Sequence, residues 1–140
     1  MPSSIEKKID DVRALFTQCP DDDAKYQKIM TLGKQLPPLS DKAKIPENLV
    51  HGCQSVMYLA SHMEDGLITF EGEADALISA GLAAVLIQVY SGETPETVLT
   101  YPPTFLEELG IAGSLTPSRA NGLYSMHLRM KQLALKHMVP

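Results

Sequence analysis

The sequence predicts helices packed on an antiparallel hairpin, and three observations carry that expectation. Core-type residues recur every three to four positions near both ends of the chain, at Ile5, Ile9, Val12 and Phe16 and again at Leu123, Met126, His127, Met130, Leu133 and Ala134. That spacing is one buried face of a helix. Two alternating segments, residues 55–62 and 67–71, flank Glu64-Asp65-Gly66, a turn signal that joins antiparallel strands. Residues 76–90 are apolar nearly all round, the pattern of a central helix enclosed on every side.

Each element follows in order. The first helix is interrupted at Cys19-Pro20, and Asp21, Asp22 and Asp23 supply a cap and first-turn acids for a second. The second carries Tyr26, Ile29, Met30 and Gly33 on one face, with Gly33 marking close packing, and Pro37-Pro38 ends it. Residues 37–47 read as an irregular charged connection, and Asn48-Leu49-Val50 as a short strand. After the hairpin, Asp75 is expected to cap the central helix. Thr94-Pro95-Glu96 opens a short helix with proline at its first position, and Pro102-Pro103-Thr104 precedes another, residues 105–109, stopped by Gly110. Thr116-Pro117 opens the last helix, where Gly122 lets another backbone approach.

The chain has 140 residues, the size of a single domain over 1–140, and no internal repeat or long linker divides it. At 44% hydrophobic it can fill one substantial core. A net charge of −5 without any block of Lys and Arg argues against nucleic acid as a partner. The first eight residues lack the apolar centre of a secretory signal, and the most apolar stretch, 74–90, is too short and too interrupted to span a bilayer. The expectation is a cytoplasmic protein, without membrane partner, whose Cys19 and Cys53 are free thiols.

Cys53 is the residue on which the chemistry turns. Gly52 before it permits a projecting turn, and Gln54-Ser55 after it are small or polar, a context that suits a presented thiol. The competing reading is a buried structural cysteine, a common state of free Cys. His51, two positions away, can assist electrostatically when protonated or can point elsewhere. Cys19, at a helix end before proline, reads as inert. Metal binding is not expected: there is no Cys-x-x-Cys, and His51, His62, His127 and His137 lack ligand spacing. Arg119 stands in the first turn of the last helix, where the dipole disfavours a cation by a few tenths of a kcal/mol. It reads either as an exposed arginine or as an anchor for a carboxylate or a fork that holds a loop. Asp75 reads as a cap or as an acid facing a basic partner.

Val50-His51-Gly52-Cys53-Gln54-Ser55, Phe70-Glu71-Gly72-Glu73-Ala74-Asp75-Ala76 with Gly81-Leu82, and Leu115-Thr116-Pro117-Ser118-Arg119-Ala120-Asn121-Gly122-Leu123, together with Leu32-Gly33-Lys34-Gln35-Leu36-Pro37, resemble the SufE family of sulfur acceptors over about residues 10–135. The resemblance implies an α+β, IscU-like fold with a small antiparallel sheet of about three strands against helices. It implies an accessory, sulfurtransferase-like protein rather than a stand-alone enzyme. Its partners are a cysteine desulfurase, itself a pyridoxal-phosphate enzyme, and an iron–sulfur scaffold complex. Sulfur is taken as a persulfide on Cys53 and handed on, the desulfurase is stimulated, and the acceptor needs no cofactor of its own. Arg119 and Asp75 fall on the family's partner-binding or loop-positioning places, and Gly52, Gln54, Ser55 and His51 on the loop around the cysteine. Tyr58 stands where members often carry Trp, a swap that keeps an aromatic ring with a polar handle.

Two rival functions compete for the same residues. A stand-alone thiol enzyme, a peroxidase or cysteine hydrolase, needs an orienting base, and only His51 is near in sequence. A scaffold that holds the cluster itself needs several cysteines, and the chain has two.

Overall fold

Ile5, Ile9, Val12 and Phe16 are all buried along α1 (Ser4–Phe16), so the stripe read from the sequence is the face this helix turns inward. The structure is a computed structural model and describes residues 4–53 and 55–139. Asp21 caps α2 (Asp22–Gln35) by accepting from the Ala24 amide at 2.8 Å, which satisfies one of the orphan donors of the first turn. Only Ile29 and Gly33 of α2 are fully buried. They face α3 (Leu77–Tyr90), in which ten residues are buried, as an all-apolar helix requires. A Cβ on Gly33 would meet the Leu77 carbonyl and the Gly81 amide, and one on Gly81 would meet the Ile29 carbonyl. Two glycines thus let the backbones of α2 and α3 touch.

The hairpin pairs β1 (Met57–Glu64) with β2 (Leu67–Ala74), from Met57 opposite Ala74 to Glu64 opposite Leu67. Asp65 (φ 52°) and Gly66 (φ 80°) both take positive φ, the two-residue turn whose twist matches that of the strands. Met57, Leu59, Ile68 and Phe70 turn towards the helices, and Tyr58 and Ala60 alternate with them. Two strands form the sheet among the described residues, one fewer than expected. Pro46, pre-set for a helical turn, commits Pro46–Asn48 to a 3-10 turn and leaves Leu49 as a single bridge to Tyr58.

Thr94 caps α4 (Pro95–Thr100) and Thr116 caps α6 (Pro117–Met138), each with proline in the first turn. Between them, α5 (Phe105–Glu108) ends at Gly110, whose φ is 69°. All six core residues expected on α6 are buried, with Gly122 beside them. One apolar cluster joins α1, α2, the hairpin, α3, α4, α5 and α6. The architecture is α+β. Its consequence for the site is that the segment between α2 and β1 is laid across the N-terminal turns of α6.

Candidate functional site

Cys53 lies on a short loop whose two feet are tied. At one foot the Val50 amide donates to the Met57 carbonyl at 2.9 Å, and at the other the Val56 amide donates to Asp75 Oδ1 at 3.0 Å. The Asp75 amide returns a bond to the Val56 carbonyl at 3.1 Å. Asp75 is therefore a clamp on the start of β1 and not a helix cap. Ala76 holds the cap position of α3 and makes no side-chain capping bond. The carboxylate is spent on the strand because the hairpin register carries residue 75 opposite residue 56, one step beyond the last ladder pair.

The tip of the loop turns at Gly52, φ 90°, where a Cβ would stand 2.5 Å from Ser125 Oγ. Both the backbone angle and the space require glycine. The turn sends Cys53 inward against α6. Its Sγ donates weakly to the Gly122 carbonyl at 3.6 Å, and a Cβ on Gly122 would lie 3.5 Å from that sulfur. The neighbour of Gly122 is the cysteine loop, but at ordinary contact distance, so a methyl group would fit there and the close backbone approach expected from the sequence is not what the packing requires. The thiol is half-buried, and burial pushes its pKa up. No imidazole or carboxylate bonds to it among the described residues.

Arg119 is half-buried in the first turn of α6, its amide donating to Thr116 Oγ1 at 3.4 Å. Its Nη1 donates to Ser79 Oγ at 3.2 Å, and Ser55 Oγ donates to the same oxygen at 2.6 Å. Arg119, Ser55, Asp75 and Cys53 are thus gathered in one place from three separated segments. Ser79, the oxygen on which two of them meet, is not among the residues singled out from the sequence. A serine inside an otherwise apolar helix was the available signal. His51 is exposed and lines a shallow groove with Leu49, Ser125, Leu128 and Arg129, and no hydrogen bond joins it to the thiol among the described residues. Gln54 lies outside the described residues. Cys19 makes a contact of its own, Sγ to the Leu15 carbonyl at 3.9 Å, and both cysteines are free thiols. Among the described residues no three His, Cys, Asp or Glu side chains converge to hold a metal, and no helix is long and apolar enough to cross a membrane.

A helical α+β fold with one cysteine held between a loop and a helix defines a class of small thiol-bearing proteins, and three comparisons narrow it. The SufE family model, described as an Fe-S metabolism associated domain, matches residues 10–134. The chain is 38% identical over 120 residues to an uncharacterized SufE-like protein of Synechocystis, covering 86% of this chain and 76% of that protein. It is 36% identical over 132 residues to SufE-like protein 1, chloroplastic/mitochondrial, of Arabidopsis thaliana, covering 94% of this chain but only 36% of that longer protein. The solution structure of a hypothetical protein from Thermus thermophilus superposes with a TM-score of 0.78 at 25% identity, covering 95% of this chain and 97% of that one. The chain belongs to the SufE family, and with it to iron–sulfur metabolism.

Proposed function

We propose that the protein is a sulfur acceptor. The Cys53 thiolate attacks the outer sulfur of a persulfide on a cysteine desulfurase. The donor's S–S bond breaks, a new S–S bond forms to Cys53, and the donor cysteine leaves as a thiolate that takes up the displaced proton. One S–S bond replaces another, so no outside oxidant or reductant is consumed. Cys53 then passes the sulfur to the iron–sulfur assembly machinery, and its removal of sulfur from the donor stimulates the desulfurase.

The observation that carries this reading is the placement of Cys53 on a loop pinned at both feet and sheltered on α6. A carrier needs a thiol that is quiet at rest and reachable on demand. The raised pKa keeps the free thiol protonated, and a loop tip whose sulfur touches α6 through one weak bond can leave that helix without unfolding its base. A stand-alone thiol enzyme needs a base within hydrogen-bond reach of the sulfur, and among the described residues the sulfur bonds to the Gly122 carbonyl and not to His51 or any other base.

Incubation with a cysteine desulfurase and free cysteine, followed by intact mass measurement and peptide mapping, tests the proposal. The expected result is a gain of one sulfur on Cys53, abolished in Cys53→Ser, with the fold retained by circular dichroism. Undiminished uptake by Cys53→Ser, or sulfur on Cys19 alone, would overturn it. Peroxide reduction or ester hydrolysis by the chain without a desulfurase would favour the thiol-enzyme reading.

A further inference from the structure

Ser79 is a buried hydroxyl, 5% exposed, in the first turn of a helix whose inward neighbours are hydrocarbon. A hydroxyl in that position is costly unless it is hydrogen-bonded, and here it accepts twice, from Ser55 Oγ and from Arg119 Nη1. Ser55 follows the reactive thiol by two residues, and Arg119 precedes Gly122 by three. The Gly122 carbonyl in turn receives the Cys53 S–H. The links form a closed ring: from Cys53 along the loop to Ser55, across Ser79 to Arg119, along α6 to Gly122, and back to the sulfur.

We propose that Ser79 is a positioning residue for Cys53, the acceptor at which the cysteine loop and α6 are joined, and that the bond to Ser55 holds the thiol in its tucked position. This rests on the acceptor reading and names the residue that sets the resting state of that site. The feet of the loop are tied elsewhere, through Val50 to Met57 and Val56 to Asp75, so loss of the Ser79 hydroxyl frees the tip and spares the base. What then remains on the tip among the described residues is one S–H to carbonyl contact at 3.6 Å, the weakest link in the ring. Departure of the loop towards a donor therefore requires the Ser55 to Ser79 bond to open. The half-buried guanidinium of Arg119 is left with its acceptor in place, so α6 keeps its first turn while the loop leaves.

The test uses the whole chain without any desulfurase. Cys53 and Cys19 compete for iodoacetamide between pH 7 and 10, and each rate is read by mass mapping, with Cys19 as the internal control. In Ser79→Ala the Cys53 rate near neutral pH is expected to rise about tenfold, the equivalent of roughly one pH unit off its midpoint, with the Cys19 rate unchanged. Ser55→Ala, which removes the other end of the bond, is expected to act in the same direction. Ser79→Thr, which keeps the hydroxyl, is expected to stay within about twofold of the parent chain. The proposal is overturned if both alanine variants leave the Cys53 rate and midpoint unmoved, if both cysteines accelerate together, or if Ser79→Thr matches Ser79→Ala. Because no sulfur donor enters the assay, labelling that behaves as expected in a chain that gains no sulfur would overturn the acceptor function and leave the positioning role standing.

Discussion

Cys53 is half-buried, and its sulfur is held in a setting that favours the protonated form. Burial disfavours the thiolate, and the polar contact the sulfur makes among the described residues, to a carbonyl, favours the S–H form as well. Alkylation of Cys53 in the isolated protein is therefore expected to climb about tenfold per pH unit from neutrality and to keep climbing above pH 9. A plateau below pH 8 in a rate-against-pH series would mean a cation or base lowers the thiol, contrary to the geometry. At this scale the sequence was readable where a residue's chemistry is local. Gly52 before the cysteine implies a turn, and a turn is there. It misled where two partners lie far apart in the chain. Asp75 has the composition of a cap, but its carboxylate is claimed by the Val56 amide, and only the completed hairpin brings those two together.

Among the elements, the crossing of α2 and α3 is the most demanding contact. Gly33 and Gly81 leave no room for a methyl group, because what it would strike is backbone that cannot swing aside. Gly81→Ala is expected to cost about 3 kcal/mol in urea unfolding, against the usual gain of alanine over glycine in a helix. An unchanged midpoint would show that the helices can separate at little expense. The helices were legible because their apolar spacing, their caps and their terminal prolines and glycines agree with one another. The third strand was not, because Asn48-Leu49-Val50 has strand-like composition while Pro46 upstream imposes a turn on its first residue.

Across the whole molecule, stability is expected to depend on pH through His127. Its ring is buried on α6 beside Tyr90, with centroids 5.1 Å apart, and Nε2 has no hydrogen-bond partner among the described residues. Burial, reinforced by the charge of Lys131, pushes its pKa down to about 4. The unfolded chain, with an ordinary histidine, binds a proton that the folded chain refuses. The stabilisation from the neutral ring is thus complete above about pH 6.5 and is lost as the pH falls towards 4. Between pH 7.5 and 4.5 this one group is expected to remove on the order of 2 to 3 kcal/mol. Urea midpoints across that range measure it. His127→Leu should flatten the slope, and an equal slope in that variant would assign the loss to other groups. The position of His127 in the core stripe was legible from helical spacing. That Nε2 finds no partner among the described residues was not, because that depends on what α3 brings alongside.

The shelter of Cys53 is assembled from the loop, the start of α3 and the start of α6, and the last of these is separated from the cysteine by more than sixty residues of chain. A ribosome that has just released the cysteine has not yet made its cover. During synthesis the sulfhydryl lacks this cover until the final helix emerges and docks, so alkylation of a nascent chain stopped before residue 117 is expected to be faster at Cys53 than in the finished protein.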